Sequence, residues 1–355
     1  MRVGILTSGG DCQALNATMR GLALTLYRNV KDVEIIGFID GYKGLMYEKY
    51  KKMKPKDFYD ILNVGGSILG NSRCPFKRMR IIENGFDKVK AMKNTYKKLE
   101  LDCLVVLGGN GSIKSANMLS QEGLNVIALP KTIDNDAWGT DYTFGYSSAT
   151  AIATRYLDEI KTTAASHSRV FVIEVMGHKV GHICLSAGIA AGADVILLPE
   201  IPYDIKVVAK KVKEKLKNEK NYAIIACAEG AISEADALMK RKDYKAKVLA
   251  RNGRSVAYEV ADELSQEIDA EIRVSCIGHA QRGGNPTSYD REISTRFGVE
   301  GARLIIKKHY GEYVVLQGNH VTHIPLEATA GKLKYVDTEG EIVQSAKLVG
   351  ISFGE

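Results

Sequence analysis

Residues 130–136 (PKTIDND) carry the side chains that a group-transfer reaction would need. Two carboxylates, an amide, a hydroxyl and an ammonium follow one another directly after an apolar run of strand length. Such a group could position a hydroxyl nucleophile, take its proton and help to hold Mg²⁺. A polar surface turn is the alternative explanation of the same residues.

Two glycine-rich segments could bind an anion. Residues 9–11 (GGD) follow the first apolar run, and residues 108–112 (GGNGS) follow another and open a helical pattern. Glycines let backbone N–H groups approach a phosphate closely, and a helix N-terminus adds partial positive charge. Neither segment matches the dinucleotide fingerprint G-x-G-x-x-G or the P-loop sequence G-x-x-x-x-G-K-[ST]. Taken singly, either could be a turn that needs glycine only for its geometry.

Basic residues elsewhere add candidate phosphate ligands. Arg73 lies in a glycine- and proline-bounded segment, Arg169 and Arg273 stand at the start of predicted strands, and residues 279–284 (HAQRGG) form a basic loop. Guanidinium groups match the geometry of phosphate oxygens. A surface ion pair explains any one of them alone. Together they predict two separate phosphate-binding regions.

The elements that must position these residues alternate between strand and helix. Predicted strands are 3–7, 34–39, 103–107, 126–129, 170–175, 194–197, 222–227, 273–277 and 313–316. Predicted helices are 14–27, 86–99, 147–164, 204–216 and 288–308. This order indicates a doubly wound α/β protein whose mostly parallel sheet is covered on both faces. Ligands of such folds bind beyond the carboxyl ends of the strands, where the segments above lie.

The composition is that of an ordinary globular protein. The chain has 355 residues, 49 Lys+Arg and 42 Asp+Glu, so its net charge is +7 and 26% of its residues are charged. A disordered chain is excluded, and at about 150 residues per domain the length suggests two domains. The lysines of residues 49–56 fit a loop and those of 210–220 fit a solvated helix face, so we expect no nucleic-acid partner.

The cysteines and the apolar segments predict a cytoplasmic protein. The six cysteines lie far apart without a C-x-x-C pair, which argues against a zinc site or a disulfide framework. Residues 1–10 reach a double glycine and Asp11 too soon for a signal peptide. The most apolar stretch, 183–199, is interrupted by Asp194 and is too short to span a bilayer, so no membrane contact is expected.

Seven motifs in this order resemble those of the phosphofructokinase family. They are residues 6–11 (LTSGGD), 40–45 (DGYKGL), 108–112 (GGNGS), 130–136 (PKTIDND), 139–142 (GTDY), 174–177 (EVMG) and 278–284 (GHAQRGG). The resemblance implies two interleaved Rossmann-like domains. Residues 1–145 plus about 281–331 would bind the phosphoryl donor, and residues 146–280 plus about 332–355 would bind the sugar phosphate. It also implies a glycolytic phosphotransferase that uses ATP to convert fructose 6-phosphate to fructose 1,6-bisphosphate.

The resemblance assigns roles to single residues. Asp134 would be the general base for the sugar hydroxyl, Thr132 would contact the sugar or the transferring phosphoryl group, and Arg73 would neutralise charge on that group. The donor-binding positions would be Gly10, Tyr42, Arg73, Cys74, Gly109, Asn110, Gly111, Ser112 and Lys131. The substrate-binding positions would be Thr132, Ile133, Asp134, Arg169, Met176, Gly177, His178, Glu229, Arg273, His279 and Arg282. Mg²⁺ would be the cofactor, with Asn110 and Asp136 as its ligands.

Family resemblance further implies an oligomer. Arg169 and Arg273 would reach the sugar phosphate from a neighbouring subunit, so we expect a homodimer or a homotetramer. Three positions depart from the family pattern: Asn110 replaces a metal-binding aspartate, His178 an arginine and Cys74 an aromatic residue.

The phosphoryl donor is ambiguous by resemblance, because the chain mixes the marks of two family branches. Gly111 matches the ATP-using branch, whereas the pyrophosphate-using branch has an aspartate that would repel an α-phosphate. Lys131 matches the pyrophosphate-using branch. We weight Gly111 more and expect ATP, because the nucleoside end needs an open position. A pyrophosphate-dependent enzyme, an NAD or lipid kinase, and a catalytically silent sugar-phosphate sensor are the alternatives.

Overall fold

Two sheets organise the chain, one in each of two units. The computed structural model describes residues 1–218, 220–329 and 331–355. The first unit consists of Met1–Ser148 and Arg282–Lys334, and the second of Ala149–Gln281 and Tyr335–Glu355. The boundaries expected from the sequence, near 145, 281 and 331, lie within three residues of these.

Helices and strands alternate along the chain as the apolar pattern predicts. The strands are β1 (Arg2–Ser8), β2 (Glu34–Phe38), β3 (Tyr50–Met53), β4 (Cys103–Gly108), β5 (Val126–Pro130), β6 (Val170–Val175), β7 (Val195–Leu197), β8 (Ala223–Ala228), β9 (Ile272–Cys276), β10 (Glu312–Gln317) and β11 (His320–Pro325). The helices are α1 (Leu15–Asn29), α2 (Tyr42–Met46), α3 (Lys88–Lys98), α4 (Asn110–Gln121), α5 (Tyr146–His167), α6 (His182–Ala191), α7 (Ile205–Asn218), α8 (Glu234–Ala237), α9 (Arg241–Ala250), α10 (Val256–Ser265), α11 (Ser288–Ile306) and α12 (Glu341–Leu348).

The sheet of the first unit brings three strand ends together. Over the described residues its order is β11-β10-β5-β4-β1-β2-β3, with β3 and β11 antiparallel at the edges and the strands between them parallel. Every residue of β4 is buried, as in a strand covered on both faces. The register aligns Ser8 with Gly108 and Gly108 with Pro130. The segments that follow β1, β4 and β5 therefore leave the sheet side by side.

The sheet of the second unit is parallel throughout, in the order β7-β8-β6-β9 for the part of the chain that the structure describes. Strand β6 pairs with both β8 and β9, with Val175 opposite Ala228 and Glu174 opposite Cys276. Because the strands are parallel, the residues that follow them lie together at their carboxyl ends. The residues that precede them lie together at the amino ends.

The expected fold class, a doubly wound α/β protein with mostly parallel sheets, is confirmed. The prediction of a loop over residues 49–56 is wrong, because β3 pairs there with β2. Only Met53 of β3 is buried, so the sequence offered no apolar alternation to detect. Strand β11 was also missed, although the two-residue turn Gly318-Asn319 before it is a hairpin signal. The apolar stretch 183–199 contains α6 and β7.

Among the helices in the described ranges, none is long and apolar enough to cross a membrane.

Candidate active site

Lys131 links two of the three loops at the carboxyl edge of the first sheet. Its side chain is buried, and its Nζ donates a hydrogen bond to the carbonyl oxygen of Gly10. A Cβ on Gly9 would lie 3.5 Å from this Nζ and 3.6 Å from the hydroxyl of Ser112. Burial lowers the pKa of Lys131. The loop after β5 thus places a cation directly beneath the glycines that follow β1.

Arg282 adds a second cation to the same loop. Its Nη1 donates to the carbonyl oxygen of Asp11 at 2.9 Å. A Cβ on Gly10 would lie 2.9 Å from that nitrogen, so only glycine lets the guanidinium lie across the backbone there. Lys131 and Arg282 contact consecutive residues of this loop. Two neighbouring cations beside glycine amides form an arrangement suited to phosphate oxygens.

The loop that carries Asp134 is held by its own hydroxyl groups. The Asp134 amide donates to Thr132 Oγ1 at 3.1 Å, and Thr143 Oγ1 donates to the Thr132 carbonyl at 2.7 Å. Asn135 has a left-handed φ of 54°. Of residues 131–137, only Asp134 is not classed as buried. Asp134 as a whole is half-buried, but its Oδ1 is buried, so at most the other carboxylate oxygen is open to a ligand. The side chain of Ile133 is fully buried and could contribute only its backbone.

Asn110 and Asp136 form a direct pair. The Asn110 amide donates to Asp136 Oδ2 at 2.6 Å, and the Asp136 side chain is buried. Asn110 is the first residue of α4, so the pair lies where the helix N-terminus provides unpaired amides. Over the described residues no group of three or more His, Cys, Asp or Glu converges as a metal cage. One carboxylate with one amide fits Mg²⁺ that is bound mainly through substrate phosphates and water.

The N-terminus of α4 is open on one side and supported on the other. A Cβ added to Gly111 would meet no atom within 4 Å, so the space beside it is free. On the core side the Tyr42 hydroxyl donates to the Ser112 carbonyl at 2.8 Å, and the Tyr42 side chain is fully buried. Burial raises the pKa of Tyr42 well above its ordinary value. The burial argues against the expected contact of Tyr42 with a nucleotide sugar and makes it a support of the loop.

Arg73 and Cys74 line a cavity of about 220 Å³ in the first unit. The Gly9 amide donates to the Ser72 carbonyl at 3.1 Å, so the segment with Arg73 runs beside the first glycine loop. Three more cations and one carboxylate line the cavity: Lys43, Arg78, Lys88 and Glu83. Sequence reasoning missed these three cations. Lys43 stands inside the DGYKGL motif, which was the available signal.

In the second unit, Glu229 closes the loop that follows β6. Its Oε1 accepts hydrogen bonds from the amides of Gly177 and His178, which follow Met176. Beneath this loop the Ser255 hydroxyl donates to the carboxyl group of Glu174. Burial raises the pKa of Glu174. His279 lies exposed in a short 3₁₀ segment just beyond β9, at the same edge of the sheet.

Arg169 and Arg273 lie at the amino ends of the strands of this sheet, opposite the ends that lead to Met176 and His279. Both form ion pairs with Glu271, Arg169 at 2.8 Å. Arg169 precedes β6 and Met176 follows it, so a six-residue strand, about 20 Å long, separates them. Within one chain these arginines cannot contact a small ligand that also contacts Met176 or Glu229.

Comparisons with known proteins agree with one another. The family model described as phosphofructokinase matches residues 2–305. The ATP-dependent 6-phosphofructokinase of Spirochaeta thermophila is 46% identical, with 99% of this chain and 97% of that protein covered. ATP-dependent 6-phosphofructokinase 3 of Bacteroides thetaiotaomicron is 42% identical over all of both chains.

Solved structures of phosphofructokinases are also similar to this chain. Phosphofructokinase from Saccharomyces cerevisiae superposes with a TM-score of 0.80 at 28% identity, covering 93% of this chain and 45% of the yeast chain. The pyrophosphate-dependent phosphofructokinase of Nitrosospira multiformis superposes with a TM-score of 0.81 at 20% identity, covering 96% of this chain and 87% of that one. The second comparison shows the shared fold only.

Proposed function

Because the chain belongs to the phosphofructokinase family, we propose that it transfers the γ-phosphoryl group of ATP to O1 of fructose 6-phosphate. The observation that carries the proposal is the meeting of three loops at one sheet edge, where Lys131 contacts Gly10 and Asn110 contacts Asp136. The names of the relatives support the same activity.

Asp134 is the proposed general base. Asp134 is half-buried with its Oδ1 enclosed, so Oδ2 is the oxygen that would take the proton of the sugar hydroxyl. The hydrogen bond from the Asp134 amide to Thr132 Oγ1 fixes the direction of the loop. As the O1 proton moves to the carboxylate, the hydroxyl oxygen becomes a better nucleophile for the phosphoryl group.

Cations of the first unit would stabilise the migrating phosphoryl group. Lys131 and Arg282 already contact the glycine loop, and Arg73 lies in the neighbouring cavity. Such preorganised charge is usually the largest contribution to phosphoryl transfer. Asn110 and Asp136 would hold Mg²⁺, which, when bound with the donor, neutralises charge on its phosphates.

Gly111 favours ATP as the donor. The free space beside it leaves room for the α-phosphate and the nucleoside, and the relatives named ATP-dependent agree. Lys131 favours the second candidate, pyrophosphate, by resemblance. Its Nζ is bonded to a backbone carbonyl beneath the loop, a position compatible with either donor.

The resemblance assigns the sugar phosphate to the following residues. Met176, Gly177, His178 and Glu229 would hold the sugar body, and His279 and Arg282 would hold its phosphate. Arg169 and Arg273 would serve the site of a neighbouring copy, because they lie at the far edge of their own sheet. The proposal therefore includes at least a homodimer.

A donor comparison tests the proposal. We expect Mg²⁺ and ATP to convert fructose 6-phosphate with a kcat/KM at least about 10-fold above that with Mg²⁺ and pyrophosphate. Asp134→Asn should lower kcat by about 10²–10⁴ and leave KM for the sugar within about 2-fold. Asp60→Asn, at an exposed aspartate of the same unit, is the matched control.

Three outcomes would contradict the assignment. Turnover with pyrophosphate alone would make pyrophosphate the donor. Binding of fructose 6-phosphate without turnover on either donor would indicate a sensor. Full activity of Asp134→Asn would remove Asp134 as the base.

A further inference from the structure

A short segment after β11 runs back along the loop that carries Asp136. This return segment is residues 332–334, which contain none of the family motifs. Leu333 forms an antiparallel bridge with Ala137, and the Lys334 amide donates to the Asp136 carbonyl at 2.9 Å. Residues nearly 200 positions apart in sequence therefore share backbone hydrogen bonds beside the proposed metal ligands.

The ammonium group of Lys334 closes the same loop at its other end. Its Nζ donates to the carbonyl oxygens of Thr140 and Asp141, both at 2.9 Å. One residue thus holds Asp136 through its backbone and residues 140–141 through its side chain. The hydrogen bond to Thr140 is part-buried and the one to Asp141 is exposed, and a single ammonium can donate to both carbonyls at once.

Independent contacts hold the far end of this loop to β10. The Asp141 amide donates to the Leu316 carbonyl at 2.8 Å, and Asp141 Oδ2 accepts from the Gly318 amide at 2.6 Å. The end with Asp136 leads instead to Asn110, through the 2.6 Å side-chain bond. Lys334 therefore connects the two ends of the loop, the anchored end through its ammonium group and the end with Asp136 through its backbone amide.

Building on the proposed function, we propose that Lys334 is a positioning residue for phosphoryl transfer. It holds the Asp136–Asp141 loop so that Asp136 and Asn110 present their oxygens to Mg²⁺ bound with the donor. It does not touch the reacting atoms. Partners of metal ligands typically change metal affinity or activity by 10–100-fold when removed.

The test compares Lys334→Met with Lys332→Met. Lys332 lies in the same return segment, but its Nζ stands over the Trp138 ring at 5.4 Å and bonds none of the loop carbonyls. For Lys334→Met we expect kcat about 10-fold lower and the Mg²⁺ concentration for half-maximal rate about 10-fold higher, with KM for fructose 6-phosphate within about 2-fold. Lys332→Met should keep wild-type values. Lys334→Arg, which retains the cation, should recover most of the loss.

Two measurements do not depend on turnover. Trp138 is the single tryptophan of the chain and belongs to the loop, so its fluorescence reports Mg²⁺ and ATP binding directly. Its Mg²⁺ midpoint should rise in Lys334→Met. Amide hydrogen exchange of residues 134–141 should be faster in Lys334→Met and unchanged in Lys332→Met.

Wild-type exchange and Mg²⁺ midpoints in Lys334→Met would overturn the inference. If Lys334→Met does not fold, Lys334→Gln replaces it, with the same expectations and the same contradiction. A wild-type protein inactive on both donors would defeat the proposed function, while the exchange measurement would still decide whether Lys334 holds the loop.

Discussion

The two units arrange their basic residues in opposite ways. In the first unit, Lys131 and Arg282 converge on consecutive residues of one glycine loop. In the second unit, Arg169 and Arg273 lie at one edge of the sheet, while Glu229 lies at the other. The first unit therefore contains the whole candidate phosphate-binding loop, whereas the second unit has its candidate residues at opposite ends of its strands.

The proposed homodimer would give this difference a role. A six-residue parallel strand places its two ends about 20 Å apart, which exceeds the length of a sugar phosphate. In the proposed homodimer, arginines at the amino ends of these strands would contact a ligand held by another chain. The first unit has no corresponding division, because its cations and its carboxylates lie at the same edge.

Mixing two inactive variants tests this division with the largest expected effect. Asp134→Asn and Arg169→Ala should each be nearly inactive alone at low sugar concentration. If Arg169 serves a neighbouring copy, random pairing makes about half of the dimers hybrids with one intact site, restoring about a quarter of wild-type activity.

The control mixture is Asp134→Asn with Arg282→Met. Both substitutions fall in the first unit, so every hybrid site carries one of them and activity should stay absent. No recovery in the Arg169→Ala mixture after denaturation and joint refolding would show that Arg169 acts within its own chain.

Gly111→Asp tests the donor site proposed in the first unit, and its expected effect on KM is intermediate in size. The substitution should raise KM for ATP by at least about 10-fold through repulsion of the α-phosphate, with less effect on pyrophosphate. The protein should remain folded, since an acidic residue suits the first turn of a helix. Gly111→Ala is the control, because its Cβ meets no atom within 4 Å, and should keep near wild-type KM. Equal losses with both donors would contradict the role given to this position.

The smallest expected effect is on stability. Free energies of unfolding measured over a series of pH values would compare one carboxyl group from each unit. Burial raises the pKa of Glu174, so its protonated form stabilises the fold below the unfolded pKa, and this stabilisation is lost as pH rises through the raised value. Glu174→Gln should therefore gain stability relative to wild type as the pH rises above the unfolded pKa of this carboxyl group.

The pKa shift of Glu122 in the first unit has the opposite sign to that of Glu174. Hydrogen bonds from Lys93 and Arg80 lower its pKa, so its stabilisation is present above the unfolded pKa and is lost as pH falls. Glu122→Gln should lose a little stability at neutral pH and match wild type in acid. Parallel pH curves for wild type and both variants in urea unfolding would contradict these signs.

Much of the candidate site could be predicted from the sequence, because each of its loops follows an apolar strand and parallel strands end together. Asp134 and Asp136 belong to a dense local motif, which periodicity places directly after β5. The contact of Lys131 with Gly10 could not be predicted, because it depends on the register between β1, β4 and β5.

Burial and long-range contacts account for what the sequence missed. The motif around Tyr42 indicates a position near the donor, but only packing reveals that its ring is enclosed by the core and its hydroxyl serves Ser112. Lys334 lies outside every motif and acts on residues far away in the sequence. No local pattern marks a lysine that bonds to distant backbone carbonyls.

The lysines of β3, an outer strand of the first sheet, also affect how the protein associates with other molecules. Within the described residues, no strand pairs with the outer side of β3, and its exposed residues include Lys51 and Lys52. Closely spaced like charges on such a border oppose its joining to the same border of another molecule. Replacing both lysines with threonine would therefore be expected to promote aggregation at high protein concentration without altering the chemistry at the far end of the strands.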